Sequence, residues 1–182
     1  MDAFESLVGQ LLEYDKYWVQ YSVKVNLTIT EKEKICKKTT PRPEIDIAAF
    51  DIPNNTVYLL EVKSYLDSSG VKSDSVIRDT EIQEGGYKIL TSSNYQKVVS
   101  ERLLQDWRAS GHVNADTKIS FGLIAGKVQN KKEKEAILEK HFADKDWLFW
   151  GPTILKKKLE ELSKRGYENN AVTIAVKLLL RT

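Results

Sequence analysis

The sequence predicts a single α/β domain, a sheet with helices on its faces. Strand-like runs of apolar and β-branched residues alternate along the chain with segments whose apolar residues recur at three-and-four spacing. With 182 residues and 41% hydrophobic composition, the chain can bury one substantial core and has the make-up of an ordinary globular protein. No internal repeat, low-complexity tract or Pro/Ser-rich linker divides it, so residues 1–182 read as one domain.

The elements follow in order. Phe4, Leu7, Val8, Leu11 and Leu12 mark a buried helix face, with Asp2 as its start signal. Residues 17–25 read as a first strand. Residues 43–50 and 57–63 are two more, joined by the turn residues Asp51-Ile52-Pro53-Asn54-Asn55 into a hairpin. The stretch 66–90, with Ser68-Ser69-Gly70 and Gly85-Gly86, is long and polar: a substrate-facing loop or a small helical insertion. A helix over 95–109 turns Val98, Val99, Leu103 and Trp107 inward and stops at Ser110-Gly111. A central strand over 118–126, a helix over 132–142 bearing Ala136, Ile137 and Leu138, and a short buried strand over 147–150 come next. Gly151-Pro152 ends that strand, and Pro152 suits the first turn of a helix over 153–165. Residues 170–180 are apolar enough for a strand or a buried helix, and periodicity leaves both open. Trp18, Trp107, Trp147 and Trp150 all lie inside elements and read as core.

Composition excludes several functions. A formal net charge of +2 is too small for a protein that coats nucleic acid, so any such surface must be local. Lys32, Lys34, Lys37, Lys38 and Arg42 cluster before the strand at 43–50. Lys37, Lys38 and Arg42 are the candidate phosphate contacts; the other reading is a solvated hairpin or loop balanced by Glu31 and Glu33. One cysteine, Cys36, cannot form an internal disulfide, and with only His112 and His141 beside it no zinc cluster is expected. No phosphate-cradling G-x-x-x-x-G-K-[ST] loop occurs, which argues against motor-type ATP hydrolysis. No apolar run is long enough for a membrane span and the first helix is acidic, so a cytoplasmic location is expected.

The hairpin carries the chemistry. Pro43-Glu44-Ile45-Asp46-Ile47-Ala48-Ala49-Phe50 sets an acid in an apolar run, and Val57-Tyr58-Leu59-Leu60-Glu61-Val62-Lys63 follows it. Alternation puts Glu61 and Lys63 on one face and Leu60 and Val62 on the other, and a suitable register sets Asp46 opposite the first pair. Two carboxylates suit a hard divalent cation, and a nearby lysine can orient or deprotonate an attacking water or stabilise charge on a phosphate. The structural alternative is a surface ion-pair ladder across the strands.

Asp46 and the literal Glu61-Val62-Lys63 resemble the PD-(D/E)xK nuclease superfamily of restriction endonucleases, Holliday-junction resolvases and repair nucleases. The resemblance covers roughly the N-terminal half. It departs in one respect: Pro43 lies three positions before Asp46, where the family usually has proline adjacent. It implies a restriction endonuclease-like mixed central sheet flanked by helices, and hydrolysis of DNA with Mg²⁺ or Mn²⁺. Asp46, Glu61 and Glu5 of the first helix would be metal carboxylates, the Val62 carbonyl a further metal ligand, Lys63 the catalytic lysine and Gln96 an accessory residue. A homodimer or a partner subunit that supplies sequence recognition is expected, since no helix-turn-helix or zinc finger is present. The rival reading is a non-catalytic nucleic-acid- or protein-binding subunit that retains the fold.

Overall fold

A computed structural model of the chain describes residues 2–36, 42–79, 86–166 and 168–180. Helix α1 (Ala3–Tyr14) begins in a capping box, in which Asp2 accepts the Glu5 N–H and Glu5 accepts the Asp2 N–H. Strand β1 (Trp18–Lys24) leads to a short helix α2 (Ile29–Lys34), which Thr28 and Glu31 cap in the same way. The hairpin follows as β2 (Glu44–Asp51) and β3 (Thr56–Lys63). Two short helices, α3 (Ser73–Ile77) and α4 (Lys88–Thr91), precede the long α5 (Ser93–Ala109). The chain continues through β4 (Lys118–Ala125), α6 (Lys131–Asp144), β5 (Leu148–Trp150), α7 (Pro152–Ser163) and α8 (Ala171–Leu180).

The five strands lie in the order β1-β2-β3-β4-β5. The first two pairings are antiparallel and the last two parallel, so the sheet is mixed. Its two faces bury separate cores. On one, Val57 and Leu59 meet Val98, Val99 and Leu103 of α5 and Leu138 and Phe142 of α6. On the other, Ile47, Leu60 and Val62 meet Val8, Leu11 and Leu12 of α1, with Leu155 of α7 and Val176 of α8. This is a three-layered α/β domain. Among the described residues, no helix is long and apolar enough to cross a membrane.

Four features differ from, or refine, the sequence expectations. Residues 29–34 form a capped helix rather than a hairpin or loop, because the Thr28/Glu31 box and a bidentate Arg102–Glu31 pair fix its start against α5. The described parts of the insertion hold two short helices, α3 and α4, with turns and a bridge from Val71 to Val128 before them. Residues 171–180 are a helix, and it buries only Thr173 and Val176, leaving Leu178 and Leu179 about 80% exposed. Trp18 is 50% exposed at the start of the edge strand β1, unlike buried Trp150 and part-buried Trp107 and Trp147; an edge strand offers a large ring no second layer.

One buried acid is structural. Glu135 of α6 accepts the Thr153 N–H at 2.9 Å and the Thr153 hydroxyl at 3.0 Å, satisfying the open N-terminus of α7. The residue before that helix is a glycine, and a Cβ there would press on the Glu135 carboxylate that makes this cap.

Candidate active site

The regular ladder of the hairpin stops where its acids begin. The β2–β3 register runs from Asp51↔Thr56 to Ile47↔Leu60. One step further, Asp46 Oδ2 accepts the Val62 N–H at 2.8 Å, so a side chain takes a donor that a strand backbone normally satisfies. The other neighbour is irregular at the same level. Between the β1–β2 pairs Tyr21↔Ile47 and Val23↔Ile45 lies Ser22, with φ 51° in the left-handed region. Side-chain alternation breaks here as well: Ile45 and Ala48, of opposite parity, pack in the same core. This local break aims the Asp46 carboxylate at the end of β3.

Lys63 completes the group. Its Nζ lies 2.6 Å from Glu61 Oε1 and 3.1 Å from Asp46 Oδ2, and all three side chains are between 16% and 24% exposed. Burial raises the Glu61 carboxyl above its ordinary range; the Lys63 ammonium pulls it down and Asp46 pushes it up, with a net rise. Burial alone would lower Lys63, but the two carboxylates outweigh it and hold the ammonium above the usual lysine range. Lys63 is therefore charged at neutral pH, which suits it to hold an anion or a water and not to remove a proton.

A cavity of about 220 Å³ opens over the two carboxylates, lined by Glu44, Ile45, Asp46, Glu61, Gly86, Lys88, Ile89 and Tyr95; Lys63 lies behind Asp46 and Glu61 and is not on the lining. The insertion and the start of α5 thus form the wall facing the hairpin. Burial, with Glu61 close by, pushes the Tyr95 phenol up to about 12, so it is a hydrogen-bond donor at neutral pH. Tyr87, at the start of α4, is likewise raised by burial and by the Tyr65 hydroxyl.

Of the residues singled out from sequence, Asp46, Glu61, Val62 and Lys63 come together. Glu5 does not line the cavity: its carboxylate caps α1, which packs on the opposite face of the sheet. Gln96 does not line it either; Tyr95, one position earlier, is the α5 residue that does. Arg42 is exposed and donates to Asn26 Oδ1 at 3.2 Å. Lys37 and Lys38 lie outside the described residues. Glu44, Lys88 and Tyr95 were not singled out. Glu44 stands two before Asp46, but the break in alternation between them means that parity alone does not place it, and nothing in the polar insertion marks Lys88.

Among the described residues, no group of three or more His, Cys, Asp or Glu side chains is disposed to hold a metal ion. A cation here would rest on Asp46 and Glu61, with backbone and water oxygens completing its shell. That donor set fits Mg²⁺ or Mn²⁺, which are commonly held by one or two carboxylates while keeping several waters. The raised Glu61 carboxyl fits too, because a buried carboxylate beside another gains from added positive charge. Comparison with known protein families, curated proteins and solved structures found no match.

Proposed function

We propose that this protein is a metal-dependent nuclease that hydrolyses phosphodiester bonds in DNA, built on a restriction endonuclease-like sheet of the PD-(D/E)xK type. The observation that carries the reading is the convergence of Asp46, Glu61 and Lys63 at a break in the hairpin, with the two carboxylates on the lining of a cavity. A purely structural ion-pair ladder needs neither the interrupted strand pairing nor the recess.

In this reading Asp46, Glu61 and the Val62 carbonyl hold a Mg²⁺ or Mn²⁺ ion. When bound, the ion supplies Lewis-acid polarisation of the phosphate and a more acidic water. Lys63, fixed by both carboxylates, places its ammonium where negative charge builds on the phosphate or where the attacking water must be held. Asp46 is itself oriented by the Val62 N–H, so the first acid and the E-x-K strand are held in one geometry. Tyr95 presents a neutral hydroxyl from the opposite wall.

The test is cleavage of labelled DNA with Mg²⁺ or Mn²⁺ by the native protein, by Lys63→Ala and by Asp46→Ala. Native cutting that needs the metal and falls at least 100-fold in both variants supports the proposal, in line with the cost of removing one preorganised charge-stabilising group. Cutting retained in both variants, or none by a folded native protein, refutes it.

A further inference from the structure

With Lys63 behind its two carboxylates, the side-chain donors that face the cavity come from the other wall. The lining carries the acids Glu44, Asp46 and Glu61, and its donors are Lys88 and Tyr95. Tyr95 is the one set against the acid pair. The Glu61 carboxylate acts on its phenol, whereas the charged groups that act on Glu61 are Lys63 and Asp46 and not Lys88.

The fold holds the Tyr95 ring and makes no use of its hydroxyl. The Tyr95 N–H donates to Ser92 Oγ at 3.3 Å in the first turn of α5, and the ring packs at the edge of the core that contains Val98 and Val99. Its Oη forms no hydrogen bond among the described residues, the lining acids included. A tyrosine hydroxyl in a packed setting usually finds a partner, and here the partner is left to whatever enters the cavity. A donor whose ring is already fixed needs no reordering when that ligand arrives, which is the condition under which one hydrogen bond acts strongly on a reaction.

We propose that Tyr95 contacts the substrate, its O–H donating to a non-bridging oxygen of the phosphate presented to Asp46 and Glu61. The inference rests on the reading of Asp46, Glu61 and Lys63 as a phosphodiester site and adds to it a catalytic residue on the facing wall. Negative charge builds on that phosphate during attack, so the hydrogen bond strengthens towards the transition state and acts more on the rate than on binding. A tyrosine kept only for packing would give way to phenylalanine without effect on either.

Tyr95→Phe keeps the ring and removes the donor. Binding is measured by fluorescence anisotropy of labelled DNA with Ca²⁺ in place of Mg²⁺, the DNA offered both as a single strand and as a duplex. Single-turnover cleavage with Mg²⁺ is measured at saturating protein, and the urea midpoint shows whether the variant is folded. Tyr95→Phe is expected to keep its midpoint, to bind about two- to tenfold more weakly, and to lose a further factor of at least about ten in the single-turnover rate. A folded Tyr95→Phe that binds and cleaves like a cutting native protein overturns the inference and leaves the nuclease reading in place. Native binding that weakens in Tyr95→Phe, with no cleavage under Mg²⁺ or Mn²⁺, sustains the contact to phosphate and removes the nuclease reading instead. A folded native protein that binds neither form of DNA overturns both.

Discussion

Replacing Lys63 with alanine leaves two partly buried carboxylates facing each other without the ammonium they share. At an effective dielectric of about 20, the contacts at 2.6 and 3.1 Å are each worth roughly 5–6 kcal/mol of gross Coulomb attraction, most of it offset by desolvation of the charges. Breaking a fully buried pair costs about 3–5 kcal/mol; at 16–24% exposure, screening brings the expected loss to about 2–3 kcal/mol at pH 7. The loss also carries a pH signature. Glu61 is already raised by burial and by Asp46, and without Lys63 it rises further. A carboxylate raised in the folded state binds more protons there than in the unfolded chain, so stability falls as pH climbs from the unfolded value of 4.5 through the folded one. The deficit of Lys63→Ala should therefore be small at pH 5 and grow towards pH 8. Urea denaturation at several pH values, with Lys63→Met as a control for the aliphatic stem, measures it. A deficit under about 0.5 kcal/mol that does not change with pH is what a solvated surface ladder gives, and would refute the description of these groups as a coupled, recessed site.

Two predictions concern the frame around the site. Burial would raise Glu31, but the bidentate Arg102 contact and the Thr28 bonds hold it down to about 2, so its contribution is present above pH 4.5 and is lost as pH falls towards 2. Arg102→Ala should flatten the acid limb of the stability curve over that window and cost about 1–2 kcal/mol at pH 7, read from urea midpoints. Glu135→Ala removes both bonds to Thr153 and should destabilise the fold by about 1–2 kcal/mol; an unchanged midpoint would mean that water replaces the cap at no cost.

Much of the frame was legible because it rests on local rules. Asp2 and Ser110-Gly111 mark helix ends as their cap chemistry dictates, and alternation through Leu59-Leu60-Glu61-Val62-Lys63 places each residue on the face it occupies. The short α8 was ambiguous for the opposite reason: with only Thr173 and Lys177 interrupting an apolar run, it shows too few polar positions to read a period. At the site, the triad was visible from parity and spacing, but its cavity was not. Lys88 reaches it from an insertion whose path depends on tertiary packing of Ile89 and Leu90, and whether Tyr95 or Gln96 faces inward depends on the rotation of α5, which the Ser92 cap sets. Glu5 shows the limit of placing a residue by its helix alone: the same carboxylate that could turn to a distant site makes the capping box next to it.

The bond from the Val62 N–H to Asp46 gives position 46 two obligations where 61 and 63 have one. Its side chain closes a gap in the sheet, and only a short acceptor at that reach can do so. Descendants of this chain that abandoned catalysis would be free to lose the lysine and the glutamate early, yet would be expected to keep aspartate or asparagine at 46. A surviving Asx there is therefore a record of architecture, and the pair at 61 and 63 is the better witness to chemistry.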